Sequence, residues 1–433
     1  MGRMQKVHVI TMGCAKNVVD SERLMAQLKL SNIEITPTLE EADVAVINTC
    51  GFIGDAKEES IDMIIESVRR KSGGSLKKVY AMGCLTERYR EELLAEIPEV
   101  DGIFGTQQLP AVVRTLGGEF RHYLLGEREL TTPSHYAYLK ISEGCDNPCS
   151  FCAIPLMRGK HHSRPMEEIV REVQLLAAKG VKEVVVIGQD TTYYGKDLHG
   201  SQTLAGLLTQ VAEVQGIEWV RLMYAFPARF PLDVLDVIAG HPRVCNYIDI
   251  PLQHAADPVL RSMRRGITRR GTEELIARIR NRIPEVALRT TLIVGYPNEG
   301  VEEFETLLKF VEQMRFERLG VFAYSQEEGT AAFSLGDPVA QAEKERRRAA
   351  VMELQQEISR AQNESQIHAR TRVLIDRVEQ DMYVGRTERD APEIDNEVLV
   401  TSPNPLDVGT MCEVEIVDAV EYDLFARVTG GVS

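Results

Sequence analysis

YLKISEGCDNPCSFC, Tyr138–Cys152, is the stretch on which the fold turns. Tyr138–Ile141 is a short strand, and a loop with three cysteines follows it at once. Cys145, Cys149 and Cys152 stand at a CxxxCxxC spacing, and Gly144 and Pro148 suit a tight turn that aims side chains inward. Three thiolates on one loop are soft donors. They can hold three irons of a 4Fe–4S cluster and leave the fourth iron open to another ligand. The competing readings are a zinc site, which needs a fourth protein ligand to close, and three buried thiols.

Outward from this loop, strand and helix signals alternate. Tyr138–Ile141, Glu183–Ile187, Trp219–Tyr224, Tyr247–Ile250, Leu288–Val294 and Leu319–Ala323 read as strands with helical patterns between them. In Glu168–Ala178, for example, Ile169, Val170, Val173, Leu176 and Ala177 share one face. Six such units in succession predict an incomplete parallel (βα)6 barrel over residues 131–363. Upstream, Lys6–Met12, Ala42–Asn48 and Lys78–Met82 are nearly continuous apolar runs, as parallel strands buried on both faces require. With helices at Ser21–Leu30 and Lys57–Arg70 they predict a doubly wound α/β domain over residues 4–120. A connector spans Gly117–Pro133. Glu343–Ala361 is a charged helix with Val351, Leu354 and Ile358 on one face. Beyond it, Arg372–Val378, Glu397–Val400, Cys412–Val417 and Phe425–Val428 predict a small all-β barrel over residues 366–433.

The 433 residues are 44% hydrophobic, 27% charged and 6% aromatic, which suits a folded chain of several domains. The formal charge of −15 disfavours a basic surface wrapped around nucleic acid. No run is long and apolar enough to span a membrane, and Met1–Ile10 has no signal-peptide core. The reading is therefore a cytoplasmic protein, in which eight cysteines do not form a disulfide framework.

Cys14, Cys50 and Cys84 each lie just beyond one of the three N-terminal strands, in MGCAKN, NTCGF and MGCLTE. Parallel strands share one C-terminal edge, where doubly wound proteins place ligands, so three distant cysteines can converge. The alternative is three unrelated buried thiols. Cys245 and Cys412 read as small core hydrophobes.

GCDNPCSFC resembles the signature of the radical S-adenosylmethionine (SAM) enzymes, in which the amino and carboxylate groups of SAM ligate the open iron. With both cysteine sets and the order α/β domain, partial barrel, small β-barrel, the chain resembles the methylthiotransferase family over essentially its full length. The resemblance implies a second 4Fe–4S cluster on Cys14, Cys50 and Cys84, and a C-terminal TRAM domain. It also implies an electron donor, a sulfur donor and a second SAM as methyl donor. Gln189 and Asp190, in VVVIGQDTTYYG, end the second barrel strand, where family members hold SAM; an Asx turn is the other reading of Asp190. His254 in PLQHA is a cofactor neighbour or a structural histidine. Arg158 and Arg289 bind anions or form internal ion pairs. Tyr324 and Thr330 lie at a strand edge with no assigned role.

One branch of the family modifies an adenosine of tRNA, the other an aspartate of the twelfth small-subunit ribosomal protein. TRAM domains usually bind RNA, which calls for basic residues. From Gln366 to Ser433 there are 14 Asp and Glu against 6 Arg and no Lys, a formal charge of −8. That repels RNA and attracts a basic ribosomal protein. GRTERDAPEIDN, Gly385–Asn396, and VIGQDTTYYG also resemble the ribosomal-protein branch. The expectation is a radical SAM aspartate methylthiotransferase whose acidic tail docks the substrate, with Asp390, Glu393 and Asp395 at the docking surface. A tRNA methylthiotransferase and a non-catalytic iron–sulfur ribosome adaptor are the alternatives.

Overall fold

The structure is a computed structural model that describes residues 5–122, 126–380 and 382–432. The expected outer limits Met4 and Ser433, three connector residues and Asp381 of the acidic tail lie outside the described residues.

Five strands form the first sheet: β1 (Lys6–Thr11), β2 (Glu34–Ile35), β3 (Val44–Thr49), β4 (Lys78–Gly83) and β5 (Gly102–Phe104). They are parallel, in the order β2-β1-β3-β4-β5. Every residue of β3 is buried, as a central strand covered on both faces demands. The pairings Thr11 with Asn48 and Thr49 with Gly83 bring the C-terminal ends of β1, β3 and β4 level. The edge strands β2 and β5 are two and three residues long, too short for the sequence pattern to register.

The second sheet is wholly parallel and its strands follow one another in order. It runs from β6 (Tyr136–Lys140) through β9 (Glu183–Ile187), β10 (Trp219–Leu222), β11 (Val244–Asp249) and β12 (Ala287–Val294) to β13 (Arg318–Ala323). It does not close on itself, as expected of a partial barrel. Ile169, Val173 and Leu176 of the helix Met166–Ala178 pack in one core with Val184 and Val186. A two-stranded antiparallel hairpin, β7 (Ser142–Glu143) with β8 (His162–Ser163), follows β6 and brackets the three-cysteine loop. The helix Gln341–Glu364 buries Val351 and Ile358 in the barrel core.

The tail closes into a five-stranded barrel of β14 (Arg370–Glu379), β15 (Met382–Arg386), β16 (Val398–Thr401), β18 (Leu424–Val432) and β17 (Met411–Ala419). The sequence reading lacked β15, a five-residue strand that carries Gly385 within its ladder.

The segment between β15 and β16 corrects one expectation. It enters the large barrel where the strands begin. Arg318 Nε donates to Asp390 Oδ1 at 2.9 Å, and Arg221 donates to the Glu388 carbonyl at 2.6 Å. Asp395 accepts from the Tyr247 hydroxyl at 2.7 Å and from Arg289 at 3.2 Å. The Tyr136 and Tyr138 hydroxyls donate to the two oxygens of Glu393 at 2.8 and 2.9 Å. Arg386 and Arg221 meet the buried Glu183, each at 2.7 Å. Asp390 and Asp395 are therefore engaged with the barrel lining and withdrawn from any docking surface, while Glu393, bonded to the two tyrosines, stays exposed. An open barrel lined with arginines needs internal counter-charges, and this segment supplies them.

The connector is fixed by the same principle. Arg128 is fully buried, with Nε donating to Glu22 at 2.9 Å and Nη1 to Glu172 at 3.1 Å. Arg23 and Arg164 reach Glu172 at 3.0 and 2.7 Å. The N-terminal helix Ala15–Leu30, the connector and the first barrel helix thus share one charge cluster.

Candidate active site

The level strand ends bring Cys14, Cys50 and Cys84 to one edge. Cys14 is the N-cap of the helix Ala15–Leu30 and is exposed; Cys50 is half-buried and Cys84 buried. Gly13 has φ +84°, and a Cβ there would stand 2.7 Å from Cys50 Cβ and 2.9 Å from its Sγ. Only glycine lets the Cys14 loop lie directly on Cys50. Asn17 stitches the loops together, donating to the Met12 carbonyl at 2.8 Å and the Thr49 carbonyl at 3.1 Å. Burial pushes the Cys84 thiol up to about 12 and raises Cys50, while Arg158 opposes both shifts.

The second triad hangs between the strands of the β7–β8 hairpin. Gly144 has φ +73° and packs so closely on Gly159 and Lys160 that a side chain would strike their carbonyls. Cys145 N donates to the Gly159 carbonyl at 3.1 Å. All three thiols are half-buried. Burial raises Cys145 to about 11 and Cys152 to about 12. Donors point at the sulfurs: Asn147 Nδ2 lies 3.4 Å from Cys145 Sγ, and Arg265 Nη1 lies 3.2 Å from Cys149 Sγ. Such donors stabilise thiolate and lower the electron density on sulfur. Among the described residues, no three Cys, His, Asp or Glu side chains close around a point as a single-ion site would.

Between the triads lies a charged bridge. Arg158 ends the short helix Ile154–Arg158 that follows Cys152, and it is 2% exposed. Its Nε donates to Cys84 Sγ at 3.2 Å. Its Nη1 reaches Asp20 at 2.7 Å and Glu143 at 3.1 Å, and its Nη2 meets Asn17. Lys140, the last residue of β6, pairs with the same two carboxylates, at 2.8 Å for Glu143. Burial disfavours the charged form of Asp20, but Lys140 and Arg158 outweigh it and hold the carboxyl at about 2. One arginine thus touches a thiol of the first triad while standing six residues after the last cysteine of the second. The sequence reading left Arg158 between anion binding and ion pairing, and the structure gives ion pairing. It missed Asp20, Lys140, Glu143, Asn147 and Arg265. Asp20, at helical spacing from Lys16 and Asn17, was the one with a local signal.

The remaining candidates separate. Gln189 Nε2 donates to Glu143 at 2.7 Å, and its buried Oε1 has no partner. Asp190 caps the turn after β9, accepting from Thr192 N at 3.0 Å, and takes a second bond from Asn147 at 2.7 Å. His254 is 1% exposed, accepts from Ala256 N at 3.0 Å and lies 3.4 Å from Glu299, the structural arrangement. Arg289 pairs with Asp249 at 3.0 Å and with Asp395. Tyr324 packs on Tyr296 beneath the surface. Cys245 and Cys412 lie in cores.

A parallel partial barrel with three cysteines at the C-terminal edge of its first strand defines a radical SAM protein. The family model described as Radical SAM superfamily matches residues 139–311; Uncharacterized protein family UPF0004 matches 6–105, and TRAM domain matches 368–429. The protein named Ribosomal protein uS12 methylthiotransferase RimO of Cytophaga hutchinsonii is 49% identical, covering 98% of both chains. Its namesake in Chloroherpeton thalassium is 51% identical, again over 98% of each. The one from Bacteroides thetaiotaomicron is 49% identical over 98% of this chain and 99% of its own. The chain belongs to this RimO family of radical SAM methylthiotransferases. Among solved structures, the radical S-adenosylmethionine methyltransferase TsrM of Kitasatospora setae shares the fold. Its TM-score is 0.55 at 14% identity, covering 76% of this chain and 77% of that one.

Proposed function

We propose that the chain is the enzyme that adds a methylthio group to the β-carbon of an aspartate in the twelfth small-subunit ribosomal protein, giving 3-methylthioaspartate. The observation that carries this reading is the pair of cysteine triads joined through Arg158, in a chain whose relatives bear that activity in their name. The donor sets fit iron–sulfur clusters: soft thiols, three to a site, with amide and guanidinium donors aimed at sulfur. Cys145, Cys149 and Cys152 would hold one 4Fe–4S cluster beside SAM, and Cys14, Cys50 and Cys84 a second. When bound, these groups supply the one-electron, hydrogen-abstracting, sulfur- and methyl-transferring chemistry that no side chain offers at an unactivated C–H bond.

The protein's own part is orientation. Arg158, Lys140, Asp20 and Glu143 fix the two loops against each other. Gln189, with one amide face held by Glu143, presents a free acceptor, and with Asp190 it forms the SAM-side wall. The units run over residues 4–120, 131–363 and 366–433. The electron and the sulfur come from donors outside the chain. Substrate docking falls to the exposed acids of the tail, Glu379, Asp407, Glu413 and Asp418, since the Gly385–Asn396 segment is engaged in the barrel. This acidic surface disfavours direct RNA binding. Among the described residues no helix is long and apolar enough to cross a membrane.

Mass spectrometry of the ribosomal protein and of tRNA, each incubated with enzyme, reductant, sulfide and SAM, tests the reading. The methylthio mass appears on the protein; its appearance on tRNA alone refutes the assignment. Anaerobically reconstituted protein carries about eight irons, as two four-iron clusters require. Replacing Cys145, Cys149 and Cys152 with Ala leaves about four and abolishes 5′-deoxyadenosine formation. About four irons in the intact protein refutes the second cluster.

A further inference from the structure

Lys16 has no part in the machinery described so far. It lies in the first turn of the helix Ala15–Leu30, two residues after Cys14, and is 9% exposed. Among the described residues its ammonium makes no ion pair and no hydrogen bond. Its Nζ sits 3.1 Å from the centroid of the Tyr224 ring, at the mouth of the partial barrel. Three effects oppose a cation at this place. Burying an ammonium without a carboxylate is costly. The start of a helix is its positive pole. The first turn contains no acidic residue to compensate. The aromatic face returns only part of this.

The platform under Lys16 is rigid. Tyr224 has φ +59° just past the end of β10. Its N–H donates to Asp249 at 3.0 Å, and its carbonyl accepts from Thr191 N at 3.1 Å. Backbone strain held from both sides presets the ring, and with it the cation above. Lys140 and Arg158 are already neutralised by Asp20 and Glu143, and Arg265 is bound to Cys149 and the Pro251 carbonyl. Lys16, two residues after Cys14, is a buried ammonium with neither a carboxylate nor a hydrogen-bond partner among the described residues.

Resting on the functional reading above, we propose that Lys16 recognises the side-chain carboxylate of the substrate aspartate. The β-carbon must come within bonding reach of sulfur held at the Cys14, Cys50 and Cys84 triad. The carboxylate, one bond from that carbon, then lies within the reach of a long side chain that leaves the same helix turn as Cys14 and is held over Tyr224. An ammonium there pairs with aspartate and rejects the isosteric asparagine.

The test is a double-mutant cycle on the reconstituted full-length enzyme. Wild type, Lys16→Met and Lys16→Arg are titrated with the ribosomal protein carrying its target aspartate, with the same protein bearing asparagine there, and with SAM. Wild type binds the aspartate form about tenfold more tightly than the asparagine form. Lys16→Met binds the two forms alike, Lys16→Arg recovers part of the preference, and SAM affinity does not change. Equal discrimination by wild type and Lys16→Met overturns the proposal and leaves the functional reading standing. A loss of SAM affinity without loss of discrimination also overturns it and assigns Lys16 to SAM's own carboxylate. Failure of the wild type to modify the aspartate form refutes the functional reading and this proposal together. Should Lys16→Met misfold by near-ultraviolet circular dichroism, Lys16→Gln, which keeps a polar head, takes its place in the cycle.

Discussion

Arg158 shows why residue type matters in the bridge. Its fork reaches Asp20, Glu143, Asn17 and Cys84 at once, which a lysine's single point charge cannot do. Arg158→Lys is expected to lower stability by about 1–3 kcal/mol through lost hydrogen bonds. Arg158→Met leaves two half-buried carboxylates sharing one lysine and costs more, about 2–4 kcal/mol. Urea denaturation of both variants checks the order, and equal losses would mean that the fork geometry is irrelevant. The residue types of the thiol sites were legible, because CxxxCxxC on a strand-end loop is a local pattern. The bridge was not, because Asp20 and Arg158 are 138 positions apart. Only the fold pairs charges at such range.

At the scale of elements, the apolar runs located β1, β3, β4 and the six barrel strands to within three residues, since buried parallel strands announce themselves by composition. What the pattern could not report is how the elements are fastened. The helix Met166–Ala178 is tied to its neighbours through Glu172, which faces Arg164, Arg23 and Arg128. Burial alone would raise this carboxyl, but the three guanidinium groups hold it at about 2, below the ordinary 4.5. Its contribution to stability is therefore complete above the ordinary value and is lost as pH falls through about 2. Glu172→Gln is expected to cost about 3–5 kcal/mol at neutral pH and to flatten the acid limb of the stability profile. Denaturant unfolding at pH 7 and at pH 3 reads both effects. A variant as acid-sensitive as the wild type would place the titration elsewhere.

For the molecule as a whole, the tail is both a small barrel and a part of the large one. Its −8 formal charge looked in the sequence like a single exposed face. The fold divides it between an inner share, Asp390 and Asp395 against Arg318, Arg289 and Tyr247, and an outer share on the strands. Composition cannot make that division, because it carries no depth. A chain ending at Ser365 is expected to lose cooperative unfolding and aggregate, since Arg318 would lose its only carboxylate partner, Asp390, while Arg221 and Arg289, still paired with Glu183 and Asp249, would lose the Glu388 carbonyl and Asp395. Soluble yield and near-ultraviolet circular dichroism check this, and a native-like truncated barrel would show the tail to be dispensable for folding. The inserted segment also sets a schedule. Translation at ~5–20 residues per second separates Arg318 from Asp395 by roughly 4–15 s. For that interval the nascent barrel has all its strands but not its filling. Arg221 and Arg289 already have Glu183 and Asp249 in that interval, so Arg318 is the guanidinium left in water until Asp390 arrives.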